Sequence, residues 1–227
     1  MNQLMVLNKL ILSDMVKGFL YFWLVLSGFL VLGYAIASVA TETTVILFVW
    51  PIYLVWLCAN SFQLTKNNLE YALKLGATRT QFFLSSLIIL LAAILIGQCL
   101  HRVYLIVLPA IGNVFSSGNV TLVGFQELFP ELTLIHGIGY DITFAILLAG
   151  LFYLLGTVRF QYGMIPIYVA LAFMGVLLLI PVVREVSMNW FTQLYEGVFL
   201  ESFFLLALIG AVTFSTSHPL LKRMTLR

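Results

Sequence analysis

Charge is scarce in this sequence. Asp, Glu, Lys and Arg make up 9% of the 227 residues while 62% are hydrophobic, and a soluble domain, which typically carries about a quarter charged residues, is excluded by that ratio. With a mean hydropathy of +1.09, the chain reads as an integral membrane protein, with no length to spare for a soluble domain of ordinary size. Also missing is any Gly-Lys pair, so the chain has no Walker-type phosphate loop and cannot hold ATP in that way by itself. There are two cysteines, Cys58 and Cys99, not spaced as a metal pair and lying within or at the end of apolar runs; each reads as a buried, reduced thiol. The three histidines, His101, His136 and His218, have no ligand spacing among themselves and no His-Glu-x-x-His occurs. No metal or cofactor is therefore expected, and the histidines read as interfacial or loop residues.

What the sequence holds is a series of apolar runs with the length and period of helices, in one transmembrane domain over 1–227. The expected class is an all-α membrane protein with six spans. Residues 1–18 place Leu4, Leu7, Ile11 and Met15 on one helical face, the pattern of an amphipathic helix lying at the membrane interface. Span one follows over 19–38, and span two over 45–64 with Pro51 in its first turns, where proline costs little. Span three is expected over 81–100, with His101 and Arg102 marking the far interface. The stretch 103–131 contains Pro109, Gly112-Asn113 and a Ser-Ser-Gly-Asn turn at 116–119, and reads as an external re-entrant or surface-lying segment. Spans four to six are expected over 138–158, 164–183 and 198–216. An aromatic interfacial element with Trp190, Phe191 and Tyr195 precedes the last span, and a basic tail, 217–227, follows it.

Between spans two and three lies the strongest polar, helix-patterned interruption, Thr65 to Thr80. Asn68 has the chemistry of an N-cap, Glu70 and Lys74 stand four apart in the favourable order, and Gly76 suits the left-handed residue that ends a helix. Thr78 and Gln81 then have capping-box spacing and start the next helix. The stretch is expected as a short separate helix across the ends of two spans, with Leu69, Tyr71, Leu73 and Leu75 as apolar flanks and Lys66, Lys74 and Arg79 in water.

Basic residues sort to one side of this topology. Nine of the eleven fall with the N-terminus, the 65–80 stretch, the 159–162 link and the C-terminus, whereas seven of the nine acids fall opposite. The positive-inside rule then sets both termini and the 65–80 stretch in the cytoplasm of a multi-pass protein of the inner (plasma) membrane.

Glu70-Tyr-Ala-Leu-Lys-Leu-Gly76-Ala-Thr-Arg79-Thr-Gln-Phe82 resembles the cytoplasmic coupling loop of ABC transporter permeases, particularly the ABC-2 type, which usually exports. Glu70-x-Ala72 followed by Gly76 also resembles the loop of ABC importers, but Ser86 and Ile88-Ile89 stand where that pattern continues with Ile and Leu-Pro. The ABC-2 resemblance implies a permease subunit with no catalytic or cofactor-binding residues of its own. It implies dimerisation, homo- or heteromeric, and coupling to separate cytoplasmic ATPase subunits through Leu69, Glu70, Tyr71, Leu73, Lys74, Gly76 and Arg79. Glu70 and Arg79 would make the polar contacts, and Leu73 and Tyr71 the apolar plug. The alternatives, in order, are an importer permease, an ion-coupled secondary carrier, and an intramembrane enzyme or structural membrane protein.

Two observations weigh against the last two. Asp141, Glu201 and Arg102 are expected at the outer interface, leaving the middles of the spans without an ionisable group for a carrier to use. Ser116-Ser117-Gly118 has the Ser-Gly pair of intramembrane serine proteases but falls in an expected external loop. For a pathway, the aromatic and almost uncharged spans offer Trp23, Trp50, Tyr53, Trp56, Tyr168 and Phe173 as lining, which suits a lipid-like cargo, an antibiotic or an amphipathic peptide; lipid-facing or helix-packing aromatics give the same pattern.

Overall fold

The computed structural model describes residues 3–39, 45–114, 120–123, 133–195 and 200–223. They form seven helices and two short strands in the order α1 (Gln3–Val39), β1 (Val45–Phe48), α2 (Trp50–Lys74), α3 (Arg79–Val114), β2 (Val120–Val123), α4 (Leu134–Tyr162), α5 (Ile165–Leu179), α6 (Pro181–Tyr195) and α7 (Leu200–Arg223).

Four helical segments are long and apolar enough to cross a membrane: Ile11–Val39, Arg79–Gly112, Leu134–Tyr162 and Phe204–Arg223. The bent pair α5–α6 makes a fifth if it counts as one span. The chain is thus an all-α, multi-pass membrane protein, with four or five candidate spans in place of the six expected. Two physical reasons account for the difference. Val45 to Phe48, assigned to span two, is a strand, and the helix that follows carries Asn60, Ser61, Gln63, Thr65, Asn67 and Asn68, too polar a set for lipid on all sides. The expected fifth span breaks at Pro181. A residue before proline is driven to extended backbone, Ile180 has φ −73° and ψ 120°, and the chain turns by 92° there.

Other boundaries also shift. The amphipathic helix expected over 1–18 is continuous with the first span in α1. α3 runs through His101, Arg102 and Pro109 to Val114, so the first part of the expected 103–131 re-entrant segment is helix and Val120–Val123 is strand. Proline is tolerated inside such a helix because its neighbours re-satisfy the freed carbonyl. The expected 217–227 tail is helical through Arg223.

β1 and β2 pair in parallel, Val45 opposite Val120 through Phe48 opposite Val123. Parallel strands need a crossover connection, and here the α2–α3 hairpin supplies it. The bundle therefore has a strand end, where β1 and β2 sit, and a turn end, where residues 75–78 join α2 to α3. α4 is the central helix, packed along α2 and α7. Lipid gives no hydrophobic drive to helix pairing, so close packing of small residues carries it. Gly137, Ala145, Ala149, Gly150 and Gly156 are buried small residues of α4, and a Cβ on Gly156 would stand 2.3 Å from the Phe62 carbonyl oxygen of α2. Among its described side chains α1 buries one stripe, Ile11, Met15, Trp23, Leu26, Leu30 and Ala37.

Candidate functional site

The turn end is built by local rules. α2 ends in a Schellman motif: Gly76 N–H donates to Leu73 O and Ala77 N–H to Ala72 O, both at 3.0 Å, with Gly76 at φ 81°. Two residues on, Gln81 N–H donates to Thr78 Oγ1 at 3.2 Å and Thr78 N–H to Gln81 Oε1 at 2.8 Å, the reciprocal pair of a capping box. Both features follow the sequence expectation, as does the Glu70–Lys74 ion pair at 2.7 Å. The separate helix does not. Thr65 to Lys74 is the last part of α2, and Asn68 lies inside it rather than capping a new one. A cap needs a non-helical residue, and the chain stays helical from Trp50.

The coupling candidates divide by burial. Glu70, Tyr71, Lys74 and Gly76 are exposed, Leu73 is half-buried against the bundle, and Leu69 is fully buried. Leu69 and its neighbour Ala72 hold the turn to the core instead of facing outward. Arg79 donates to Lys222 O at 3.2 Å, tying the start of α3 to the C-terminal end of α7, where the helix dipole favours a cation. His218 of the same helix lies beside Thr80 and packs on the Phe83 ring. Below the turn, Thr65 and Thr157 hydroxyls sit 3.4 Å apart between α2 and α4.

Four of the six aromatic lining candidates come together nearer the strand end. Trp23, Trp50, Tyr53 and Trp56 stack or tilt against one another, with Tyr53 touching each of the other three at 5.2–5.7 Å between ring centroids. Phe19, Phe22 and Tyr104 extend the cluster, and Ser27 hydrogen-bonds Tyr104 Oη. Tyr53 is fully buried and donates to Ala93 O at 2.7 Å. These rings fill the α1–α2–α3 interface. Tyr168 and Phe173 are 60% and 64% exposed on α5, away from the cluster. The apolar grooves lie elsewhere: one of about 440 Å³ between α3, α4 and α7, walled by Leu90, Ile94, Ala149, Phe204 and Phe214, and one of about 360 Å³ between the strand ends of α1 and α3. None of the six candidates lines either one.

Beside the aromatic cluster is a polar one that the sequence reading did not bring together. Asp141 is fully buried, packed between helices. Its Oδ2 accepts from Arg102 Nη2 at 2.9 Å and from Gln98 Nε2 at 3.1 Å. Arg102 keeps only 16% of its side chain exposed. His101, expected at an interface, has no exposed surface and lies tilted against Trp50 at 5.3 Å between centroids. Both its ring nitrogens, Trp50 Nε1, Gln98 Oε1, Asp141 Oδ1 and Arg102 Nε are buried without a hydrogen-bond partner. Gln98, His101 and Arg102 follow one another at i, i+3 and i+4 along α3; that spacing was the available signal, a polar face inside an apolar run. What hid it was reading the span as ended at Leu100. The sequence reading considered only depth along the spans and did not expect an ionisable pair buried between helices. Cys58 is buried as expected, whereas Cys99 is exposed on α3. Ser116 to Gly118, Trp190 and Glu201 lie outside the described side chains. Among the described residues no group of His, Cys, Asp and Glu is arranged to hold a metal.

Comparison with family models, with curated proteins and with solved structures finds no match for this chain.

Proposed function

We propose that the chain is the membrane-spanning permease subunit of an ATP-driven exporter of the ABC-2 type. It works as a homodimer or heterodimer with separate cytoplasmic ATPase subunits, in the plasma membrane, with both termini and the 75–78 turn on the cytoplasmic side. The observation that carries this reading is the doubly capped turn. It is short, charged at its rim by Glu70, Lys74 and Arg79, and continuous with two long helices, so a push on it moves α2 and α3 as whole bodies. A connector that only reverses the chain needs neither a Schellman motif nor a capping box. Exposed Tyr71 and Leu75, at 52% and 45%, give the rim an apolar patch for a partner. The apolar grooves suit the hydrophobic part of a lipid-like or amphipathic cargo, whether lipid, antibiotic or small peptide.

The test is co-purification in mild detergent with the tagged chain as bait. A stoichiometric P-loop ATPase is expected with the wild type and lost in Tyr71→Asp and Lys74→Glu, two exposed positions whose change leaves the bundle intact. A chain that comes down alone from several mild detergents overturns the reading. A second reading, an ion-coupled carrier, is favoured by the buried Arg102–Asp141 pair, since ionisable groups inside a membrane bundle mark ion pathways. Gradient-driven uptake by the purified chain alone in liposomes distinguishes it.

A further inference from the structure

Gln98 Nε2 donates to Asp141 Oδ2 at 3.1 Å across the α3–α4 interface. A carboxamide and a carboxylic acid placed edge to edge close a ring through two hydrogen bonds, amide N–H to acid oxygen and acid O–H to amide oxygen. Here the first bond is formed, and the two atoms that the second would join, Asp141 Oδ1 and Gln98 Oε1, are both buried and both bare. Two buried acceptors without a donor are costly. One proton satisfies both at once.

We propose that Gln98, Arg102 and Asp141 form a proton-binding site, in which a proton taken from water adds to Asp141 Oδ1 and is donated to Gln98 Oε1. One O–H bond forms on the carboxyl group as one breaks on hydronium, the carboxylate charge is cancelled, and the cluster passes from neutral to singly positive with the charge on Arg102. The guanidinium then faces a neutral oxygen, and its partial exposure gives it a way out toward the surface. The ion-pair part of the α3–α4 tie is lost while the Gln98 bond is kept and doubled. The titratable groups around the site among the described residues are Arg102 and His101 on α3, Tyr53 on α2 and Tyr140 beside Asp141 on α4. At this end of α7 the described side chains, Phe204 to Ile209, carry none. Asp141 is also the one buried carboxylate among the described side chains, Asp14, Glu70 and Glu185 being exposed. The site does not depend on the exporter reading and would serve either energy source.

The test is pH-difference infrared spectroscopy on the full-length chain in lipid nanodiscs. Acidification is expected to raise a carboxylic C=O band of a buried, hydrogen-bonded acid that shifts in deuterium oxide. The band should be absent in Asp141→Asn and move to higher frequency in Gln98→Leu, where the ring cannot close. A band that persists in Asp141→Asn, or none at any pH at which the fold survives, overturns the proposal and makes the pair a permanently ionised tie. If Asp141→Asn does not fold, the Gln98→Leu comparison decides alone: an unmoved band overturns the proposal.

Discussion

Gly150 of α4 and Gly210 of α7 meet with no room between them: a Cβ on Gly150 would stand 2.2 Å from the Gly210 carbonyl oxygen, and one on Gly210 2.6 Å from the Leu147 Cα. Backbone lies against backbone, so neither helix can yield by turning a side chain. Gly150→Ala and Gly210→Ala are expected to force α4 and α7 apart and to cost about 1–3 kcal/mol, the range for overpacking a tight core. Gly139→Ala, where a Cβ meets nothing within 4 Å, should be silent. Thermal melts in detergent compare the three.

The Arg102–Asp141 pair gives a thermodynamic cycle. Arg102→Met or Asp141→Leu alone leaves a buried charge without its partner and should destabilise the fold by roughly 3–5 kcal/mol. The double change removes both charges and should recover most of the loss. Steric unfolding titrations of the two singles and the double measure the coupling; additive losses would mean that the 2.9 Å contact contributes nothing specific.

At the turn, Thr78→Ala removes the acceptor for Gln81 N–H and should cost about 1 kcal/mol, the usual worth of an N-cap. Gly76→Val places a β-branched residue at φ 81° and should cost roughly 1–3 kcal/mol. Hydrogen exchange of residues 75–82 is expected to rise in both variants while α4 stays protected.

Thiol labelling checks the helix faces. Cys99 is exposed and Cys58 buried, so a small apolar maleimide should modify Cys99 in the folded chain and reach Cys58 only on denaturation. Mass spectrometry of the peptides reads the outcome, and equal rates at the two sites would mean that α2 and α3 face otherwise.

The parts of this fold that were legible in the sequence are those decided within one or two helical turns. Gly76, Thr78 and Gln81 specify their turn by backbone freedom and side-chain caps alone, and the Glu70–Lys74 pair by helix spacing. The parts that were not legible depend on a partner far along the chain. Val45 to Phe48 reads as the start of an apolar helix until Val120 to Val123 is brought beside it. Arg102 reads as an interfacial cation because its counter-charge, Asp141, lies 39 residues away on another helix. The aromatic cluster was half legible: Trp23, Trp50, Tyr53 and Trp56 were singled out by residue type, but nothing local distinguishes a ring that fills a helix interface from one, such as Tyr168 or Phe173, that faces outward on α5.

The parallel β1–β2 pair bears on how the molecule moves. Because β1 leads into α2 and β2 follows α3, the four residues of each strand clasp the two ends of the helical hairpin together. The hairpin is thus closed at both ends, clasped by the strands at one and capped at the other, where Arg79 ties it to α7. A displacement of the turn cannot slide one helix past the other without unzipping the strands.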